Sequence, residues 1–137
     1  MKMQVVKIRN PETWQIPFVQ RAMRSIKCAP EDMDFEAVLD AYEVWLAMNP
    51  LPEALAVLSF QNGPLKEIPS VAHFYSEGTS DAREALIARI VERIKEEGYT
   101  HYLAGNWSHG DDAAWCRLFK NSGSFERVGS TFIVEVP

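Results

Sequence analysis

The stretch VAHFYSEGTSDAREALIARIVERIKEEG, residues 71–98, carries the clearest structural pattern in the chain. An apolar run at 71–76 has the composition of a β-strand and leads into the short polar loop 77–80. A long amphipathic helix follows, with Asp81 predicted as its N-cap, a glutamate three residues later, and Gly98 just beyond its end. A loop between a strand and a helix N-terminus turns backbone N–H groups and the positive end of the helix dipole toward one point, which suits a pyrophosphate. The predicted buried face of the helix consists of Leu86, Ile87, Ile90, Val91 and Ile94.

Composition places the chain among compact globular proteins. Its 137 residues are 47% hydrophobic and 11% aromatic, which predicts a single domain, residues 1–137, with a real core. Fourteen basic residues against nineteen acidic ones give a net charge of -5, and no basic patch is visible, so nucleic acid is a disfavoured partner. Neither a long apolar run nor a signal peptide is present, and we expect a soluble, cytoplasmic protein without membrane contact.

Cysteine and histidine usage argues against metal binding. Cys28 and Cys116 lie far apart and belong to no CxxC or Cys/His cluster, so we interpret both as small apolar side chains. The three histidines are scattered without ligand spacing. The sequence therefore predicts no metal site and no disulfide scaffold.

Residues 1–50 are predicted to contain one strand and two helices. Residues 4–9 form the strand, and Asn10 then caps a helix in which Pro17 either kinks the first turn or marks a later start. Asp32 or Asp34 is predicted to cap a second helix with a continuous apolar stripe. That stripe consists of Phe35, Val38, Leu39, Tyr42, Trp45 and Leu46.

The chain beyond residue 53 is predicted to be rich in strands. Asn62 and Gly63 indicate a tight reversal between antiparallel strands, and Asp111 or Asp112 is predicted to cap a last helix. The predicted strands of this part are 54–60, 65–68, 71–76, 99–104, 125–128 and 131–136.

This order of elements, with the closing segment Leu118-Phe119-x-x-x-Gly123-x-Phe125-x-x-Val128-Gly129, resembles the GNAT superfamily of acyl-coenzyme A N-acyltransferases. The resemblance implies an α+β fold with a mixed, mostly antiparallel central sheet, helices on both faces and a splayed pair of parallel strands. It also implies acetyl-coenzyme A or coenzyme A as the cofactor, and an amine-bearing small molecule or protein as the acceptor.

The resemblance further implies where the cofactor would bind. The acyl-pantetheine chain would lie between the two parallel strands along 73–76, with the pyrophosphate on the following loop and first helical turn. In this chain Asp81 would compete with the pyrophosphate for the same N–H groups, and Phe119 stands where the family commonly has a tyrosine that protonates the departing thiolate. The implied cofactor-binding residues are Phe74, Tyr75, Ser76, Gly78, Thr79, Ser80, Ala82, Arg83 and Asn106.

Acyl transfer to an amine needs a group that accepts a proton, and the candidate catalytic residues are His73, His101 and Glu77. The two histidines lie on neighbouring predicted strands, so their imidazoles could meet across the gap, or both could be half-buried strand residues with ordinary hydrogen bonds. Trp107 and His109 lie in a polar loop that could contact a substrate or a partner protein.

The sequence leaves two classes of function open. The first is an N-acyltransferase that moves an acyl group from coenzyme A to an amine, with a degenerate pyrophosphate loop. The second is a catalytically inactive protein of the same fold that serves in interaction or assembly, as a homo-oligomer or with phage structural proteins in a bacteriophage virion. Asp81 and Phe119 favour the second class, and fold inheritance favours the first.

Overall fold

The computed structural model describes residues 3–25, 34–60, 68–77, 80–105, 125–128 and 131–136. The strands are β1 Gln4–Lys7, β2 Glu43–Met48, β3 Pro52–Ser59, β4 Ser70–Ser76, β5 His101–Gly105, β6 Phe125–Val128 and β7 Thr131–Glu135. The helices are a 3-10 helix at Pro11–Gln15, α1 Pro17–Arg24, α2 Phe35–Ala41 and α3 Ser80–Glu96.

The described strands form one seven-stranded sheet in the order β1-β2-β3-β4-β5-β7-β6. Strands β4 and β5 pair in parallel, and the other neighbouring strands pair antiparallel. Helix α3 covers one face of the sheet, while α1 and α2 cover the other. The predicted α+β architecture is therefore confirmed, including the mostly antiparallel sheet, the helices on both faces and the parallel pair.

Two apolar clusters, one on each face, hold these layers together. Alternate residues of β3 point to opposite sides: Leu58 packs under α3, whereas Leu55 packs under α1 and α2. Each is fully buried, and complete burial of a leucine side chain contributes about 1.5–3 kcal/mol. None of the helices in the described parts of the chain combines the length and apolar character needed to cross a bilayer.

Local capping explains where the N-terminal helices begin. The Asn10 side chain accepts a hydrogen bond from the Glu12 N–H at 2.9 Å and starts the 3-10 helix. Pro17 is the first residue of α1, so it marks a later start and does not kink a longer helix. Asp34 caps α2 by accepting from the Glu36 and Ala37 N–H groups at 3.0 and 3.3 Å.

The prediction of one long helix through Leu46 is wrong. Helix α2 ends at Ala41, Tyr42 is extended, and 43–48 form β2. Trp45 lies in the cluster under α3, whereas Leu46 lies in the cluster on the opposite face, as alternation along a strand requires. Because both faces of β2 are buried, its apolar residues run without a gap and continue the helical spacing by coincidence.

Helix α3 starts at Ser80, so the prediction that Asp81 is its N-cap is wrong, and Asp81 lies in the first turn with an exposed side chain. The predicted apolar face is buried as expected. At the other end, Gly98 adopts φ +87°, its N–H donates to Lys95 O at 2.9 Å, and the Tyr99 N–H donates to Ile94 O at 3.2 Å. These two bonds are the Schellman motif that a C′ glycine permits.

Several predictions fall outside the described residues. They concern the reversal at Asn62 and Gly63, the last helix with its cap at Asp111 or Asp112, Phe119, the cofactor positions Gly78, Thr79 and Asn106, and the loop residues Trp107 and His109.

Candidate functional site

The parallel strands β4 and β5 pair over only part of their length. Ser70 lies opposite Leu103 and Val71 opposite Ala104, and this described pairing stops there although β4 continues to Ser76. On its other edge β4 stays paired with β3 along its whole length. Strand β4 is followed after four residues by the start of α3, as predicted. The register places the residues opposite 73–76 beyond Gly105, outside the described ranges, so the splay of the pair stays a prediction.

The C-terminal half of β4, residues 73–76, and the following residue contact α1. His73, Tyr75 and Glu77 alternate along the chain and all make contacts to α1. The Tyr75 ring meets the Phe18 ring edge to face with centroids 5.6 Å apart. Phe74 points the other way and is buried in the cluster under α3. Helix α1 thus supports the C-terminal half of β4.

Glu77 is fixed by two donors. The Arg21 guanidinium donates from Nε to Oε2 and from Nη2 to Oε1, both at 2.8 Å, and the Tyr75 hydroxyl also donates to Oε2. The bonds from Arg21 and then Tyr75 lower the pKa of the Glu77 carboxyl to about 2. Burial, reinforced by the bond to Glu77, raises the pKa of Tyr75. At neutral pH Glu77 is therefore an anion with little tendency to accept a proton.

His73 lies in the middle of β4 and is fully buried. Its Nε2 lies 2.8 Å from Ala22 O and 3.0 Å from Ser25 Oγ. Because a carbonyl oxygen only accepts, we assign the hydrogen to Nε2; the Ser25 hydroxyl itself donates to Ala22 O at 2.6 Å. His73 Nδ1 then carries the basic lone pair, and it has no hydrogen-bond partner among the described residues. Burial lowers the pKa of His73, against the opposing effect of its bond to Ala22, so the ring is neutral at pH 7.

The structure does not bring His73 and His101 together. By register, His101 lies two residues before Leu103, the partner of Ser70, whereas His73 lies three residues after Ser70. At about 3.3 Å per residue the two side chains are on the order of 15 Å apart along the strands. His101 is half-buried, and its Nδ1 lies 2.9 Å from Thr100 Oγ1. The interpretation that the two imidazoles meet across the gap is therefore wrong.

The first turn of α3 presents small and charged residues. Ala82 is completely buried against the sheet, Arg83 is half-buried, and Asp81 is exposed. Because α3 begins at Ser80, Asp81 is a first-turn residue, and its exposed carboxylate would still repel an anion bound at the helix start. Among the described residues, no group of three or more His, Cys, Asp or Glu side chains could hold a metal ion.

Two residues of this region were absent from the sequence-based candidates. Arg21 lies on α1 and Ser25 is its C-cap residue, and their partners, Glu77 and His73, lie 56 and 48 positions later in the chain. A polar residue on the exposed side of a predicted helix gives no signal of a partner so distant in sequence. A weak sequence signal for these contacts was the spacing of Arg21 and Ser25, two polar residues one helical turn apart beside the apolar face of α1.

The fold matches acetyltransferases of known structure. A probable acetyltransferase from Staphylococcus epidermidis ATCC 12228 has a TM-score of 0.73 and 12% identity, over 99% of this chain and 100% of that one. An acetyltransferase of the GNAT family from Staphylococcus aureus Mu50 has a TM-score of 0.65 and 12% identity, over 99% of this chain and 100% of that one. N-acetylglutamate synthase from Neisseria gonorrhoeae, complexed with coenzyme A and N-acetyl-glutamate, has a TM-score of 0.68 and 10% identity, over 100% of this chain and 36% of that one. A scan against protein-family models finds no match, and neither does a sequence search of curated proteins.

These likenesses, together with the parallel β4 and β5 pair, show that the chain has the GNAT fold, as predicted from its sequence. At sequence identities of only 10–12%, these structural matches show the fold and not the reaction.

Proposed function

We propose that this protein is an N-acyltransferase that uses acyl-coenzyme A and an amine acceptor. The observation that carries the proposal is the parallel pair β4 and β5 in an otherwise antiparallel sheet, with the start of α3 four residues after β4 ends. In the proposed site the two strands diverge beyond Val71, so that β4 would offer backbone N–H and C=O groups to an extended amide-containing chain, and the helix start would offer N–H groups to a pyrophosphate. Acyl-coenzyme A would supply a thioester, whose carbonyl carbon bonds to the amine nitrogen as its C–S bond breaks.

The chain's own residues fit such a ligand. Backbone groups of 73–76 would bind the pantetheine arm, and the start of α3 would bind the pyrophosphate, with Ala82 leaving room and Arg83 adding charge. Gly78, Thr79 and Asn106 keep their predicted cofactor-binding roles within this proposal. The acceptor would enter from the α1 and α2 side, where the Trp107 and His109 loop is proposed to contact it.

This orientation selects among the proposed bases. With the pyrophosphate at the start of α3, the phosphate end of the site lies next to Glu77, and the acyl end lies toward Val71, where the strands converge. His73 is two residues from that point, and its buried Nδ1 has no hydrogen-bond partner in the described parts of the chain. We assign His73 Nδ1 as the proton acceptor for the amine, with Ala22 O and Ser25 holding the ring through Nε2. Glu77 and His101 are the weaker candidates, since one is a poor base and the other lies beyond the converging end.

A matched substitution tests this assignment. His73→Gln keeps an amide N–H that can donate to Ala22 O but removes the basic nitrogen. We expect kcat to fall by roughly a hundredfold or more while the affinity for coenzyme A changes little. Acyl transfer is measured as thiol release over a panel of amines, and binding by calorimetry, with Glu92→Gln, an exposed change on α3, as the control. An unchanged kcat for His73→Gln would rule out His73 as the base.

A non-catalytic role remains the second candidate, because the structure buries His73 fully and ties Glu77 to Arg21. A protein of this kind would act in assembly, with its own copies or with phage structural proteins as partners. The non-catalytic role predicts that no amine in the panel is acylated. Thermal stability with and without acetyl-coenzyme A separates the remaining cases, since a ligand that binds the folded state raises the melting temperature.

A further inference from the structure

The phosphate end of the proposed site is rich in negative charge. Glu77 stands three residues before Ser80, and Asp81 is exposed in the first turn of α3. The Glu77 backbone is itself anchored, because its N–H donates to Glu53 O across β3 at 2.8 Å. A pyrophosphate bound here would meet carboxylates at close range, so it needs a cation from elsewhere in the fold.

Arg21 is a cation that the fold brings to this end. It comes from α1 and forms a two-pronged ion pair with Glu77, with both N···O distances at 2.8 Å. We propose that Arg21 is a phosphate-binding residue, which Glu77 holds beside the loop until coenzyme A arrives and its phosphates take over the guanidinium. The inference rests on the proposed coenzyme A site and adds a ligand-binding residue on α1 to it.

Three features make this exchange favourable. The side chains of Arg21 and Glu77 are 53% and 38% exposed, and an ion pair so exposed to water stabilises little. Tyr75 also donates to Glu77, so the carboxylate keeps a hydrogen bond when Arg21 leaves. The planar guanidinium matches phosphate oxygens as well as carboxylate oxygens, and a phosphate carries more charge.

The test compares two ligands that share the thiol arm. Coenzyme A carries the phosphates, whereas pantetheine lacks them, and NMR titration measures binding of both even when it is weak. Arg21→Met should weaken coenzyme A binding by about tenfold or more and leave pantetheine binding unchanged. Arg21→Lys keeps the positive charge but loses the planar guanidinium that can make two parallel hydrogen bonds. Its affinity for coenzyme A should lie between those of Arg21→Met and the wild type.

Two further variants sharpen the test. Glu77→Gln should bind coenzyme A about threefold more tightly, because the competing anion is gone while the Tyr75 hydroxyl still has an acceptor. Arg24→Met is the matched control, since Arg24 is an exposed arginine on the same helix, and it should behave as the wild type.

The outcomes separate this inference from the proposed function. A wild-type protein that binds neither ligand overturns the proposed function, and the inference with it. Wild-type binding of coenzyme A with an unaffected Arg21→Met variant overturns the inference alone. Equal losses for coenzyme A and pantetheine in Arg21→Met would mean that Arg21 only supports the packing of α1, which also overturns it.

Discussion

Replacing Arg93 with methionine should destabilise the protein, because Arg93 joins α3 to strand β2 through Glu43. The guanidinium donates from Nη2 and Nε to the Glu43 carboxylate at 2.8 and 3.1 Å. The Trp45 indole also donates to that carboxylate at 3.1 Å, and Lys7 Nζ lies 3.8 Å away. Removing Arg93 would leave a largely buried carboxylate with one hydrogen bond and a distant lysine.

The size of the effect follows from burial. The side chains of Arg93 and Glu43 are 20% and 13% exposed, so the pair lies between an exposed ion pair, worth about 0–1 kcal/mol, and a buried pair, whose disruption costs about 3–5 kcal/mol. We expect Arg93→Met to lower the free energy of unfolding by about 2 kcal/mol. For a domain of this size that corresponds to a melting temperature lower by about 5–10 °C.

The pH dependence identifies the cause. Burial acts to raise the pKa of Glu43, but hydrogen bonds from Arg93 and Trp45 and the charge of Lys7 prevail, so its pKa lies below the ordinary 4.5. A carboxyl with a lowered folded-state pKa stabilises the protein above its unfolded pKa, and this stabilisation is lost as the pH falls through the folded value. The difference between wild type and Arg93→Met should therefore be full at pH 7 and shrink toward pH 3.

Urea unfolding at both pH values measures this difference. Glu92→Gln, an exposed change on the same helix, should shift stability by less than about 0.5 kcal/mol and serves as the control. Equal midpoints for wild type and Arg93→Met at pH 7, or a loss that persists undiminished at pH 3, would refute the reasoning.

Other predictions concern packing and backbone conformation. Gly98→Ala should cost about 1–2 kcal/mol of stability from φ +87° alone, since the added Cβ meets nothing within 4 Å, and urea unfolding should show the loss without a change in ligand binding. Leu55→Ala should cost about 2–5 kcal/mol, because the side chain is fully buried; a loss below 1 kcal/mol would contradict its place in the core. Arg89→Met should cost about 0.5–1 kcal/mol and alter the fluorescence of Trp45, whose ring lies 4.8 Å below the guanidinium carbon. The rate of acyl transfer should stay level through pH 7 and fall only in acid, below the usual histidine pKa of 6.5, because burial lowers the pKa of His73.

Much of the fold follows from local signals that act within a few residues. The start of α2 at Asp34 and the end of α3 at Gly98 depend on capping groups that the sequence shows directly. The strand β2 was missed because burial on both faces erases the alternation that distinguishes a strand from a helix. Its signal lay in β-branched and aromatic composition at Val44 and Trp45 and in the two prolines of the following turn.

The sequence predicted the consecutive elements of the site but not the contacts between residues that are distant in sequence. The open strand, the loop and the helix start are consecutive, so a sequence pattern can show all three. The contacts of Arg21 with Glu77 and of Ser25 with His73 join residues about 50 positions apart, and their meeting depends on how α1 crosses the sheet. The tautomer of His73, and with it the identity of the free nitrogen, depends on the same crossing.

An open strand edge inside a sheet is costly to maintain, since unpaired backbone groups attract other strands and the sheet tends to close. In the proposed site β4 would be held in place from two directions. Strand β3 pairs with it as far as Ser76, and α1 contacts His73, Tyr75 and the following Glu77. Because these contacts do not use the β5-facing backbone groups, a ligand would bind along that edge while the strand stays fixed. Loosening α1 should therefore weaken coenzyme A binding before it unfolds the sheet, and the position of α1 becomes part of the binding site.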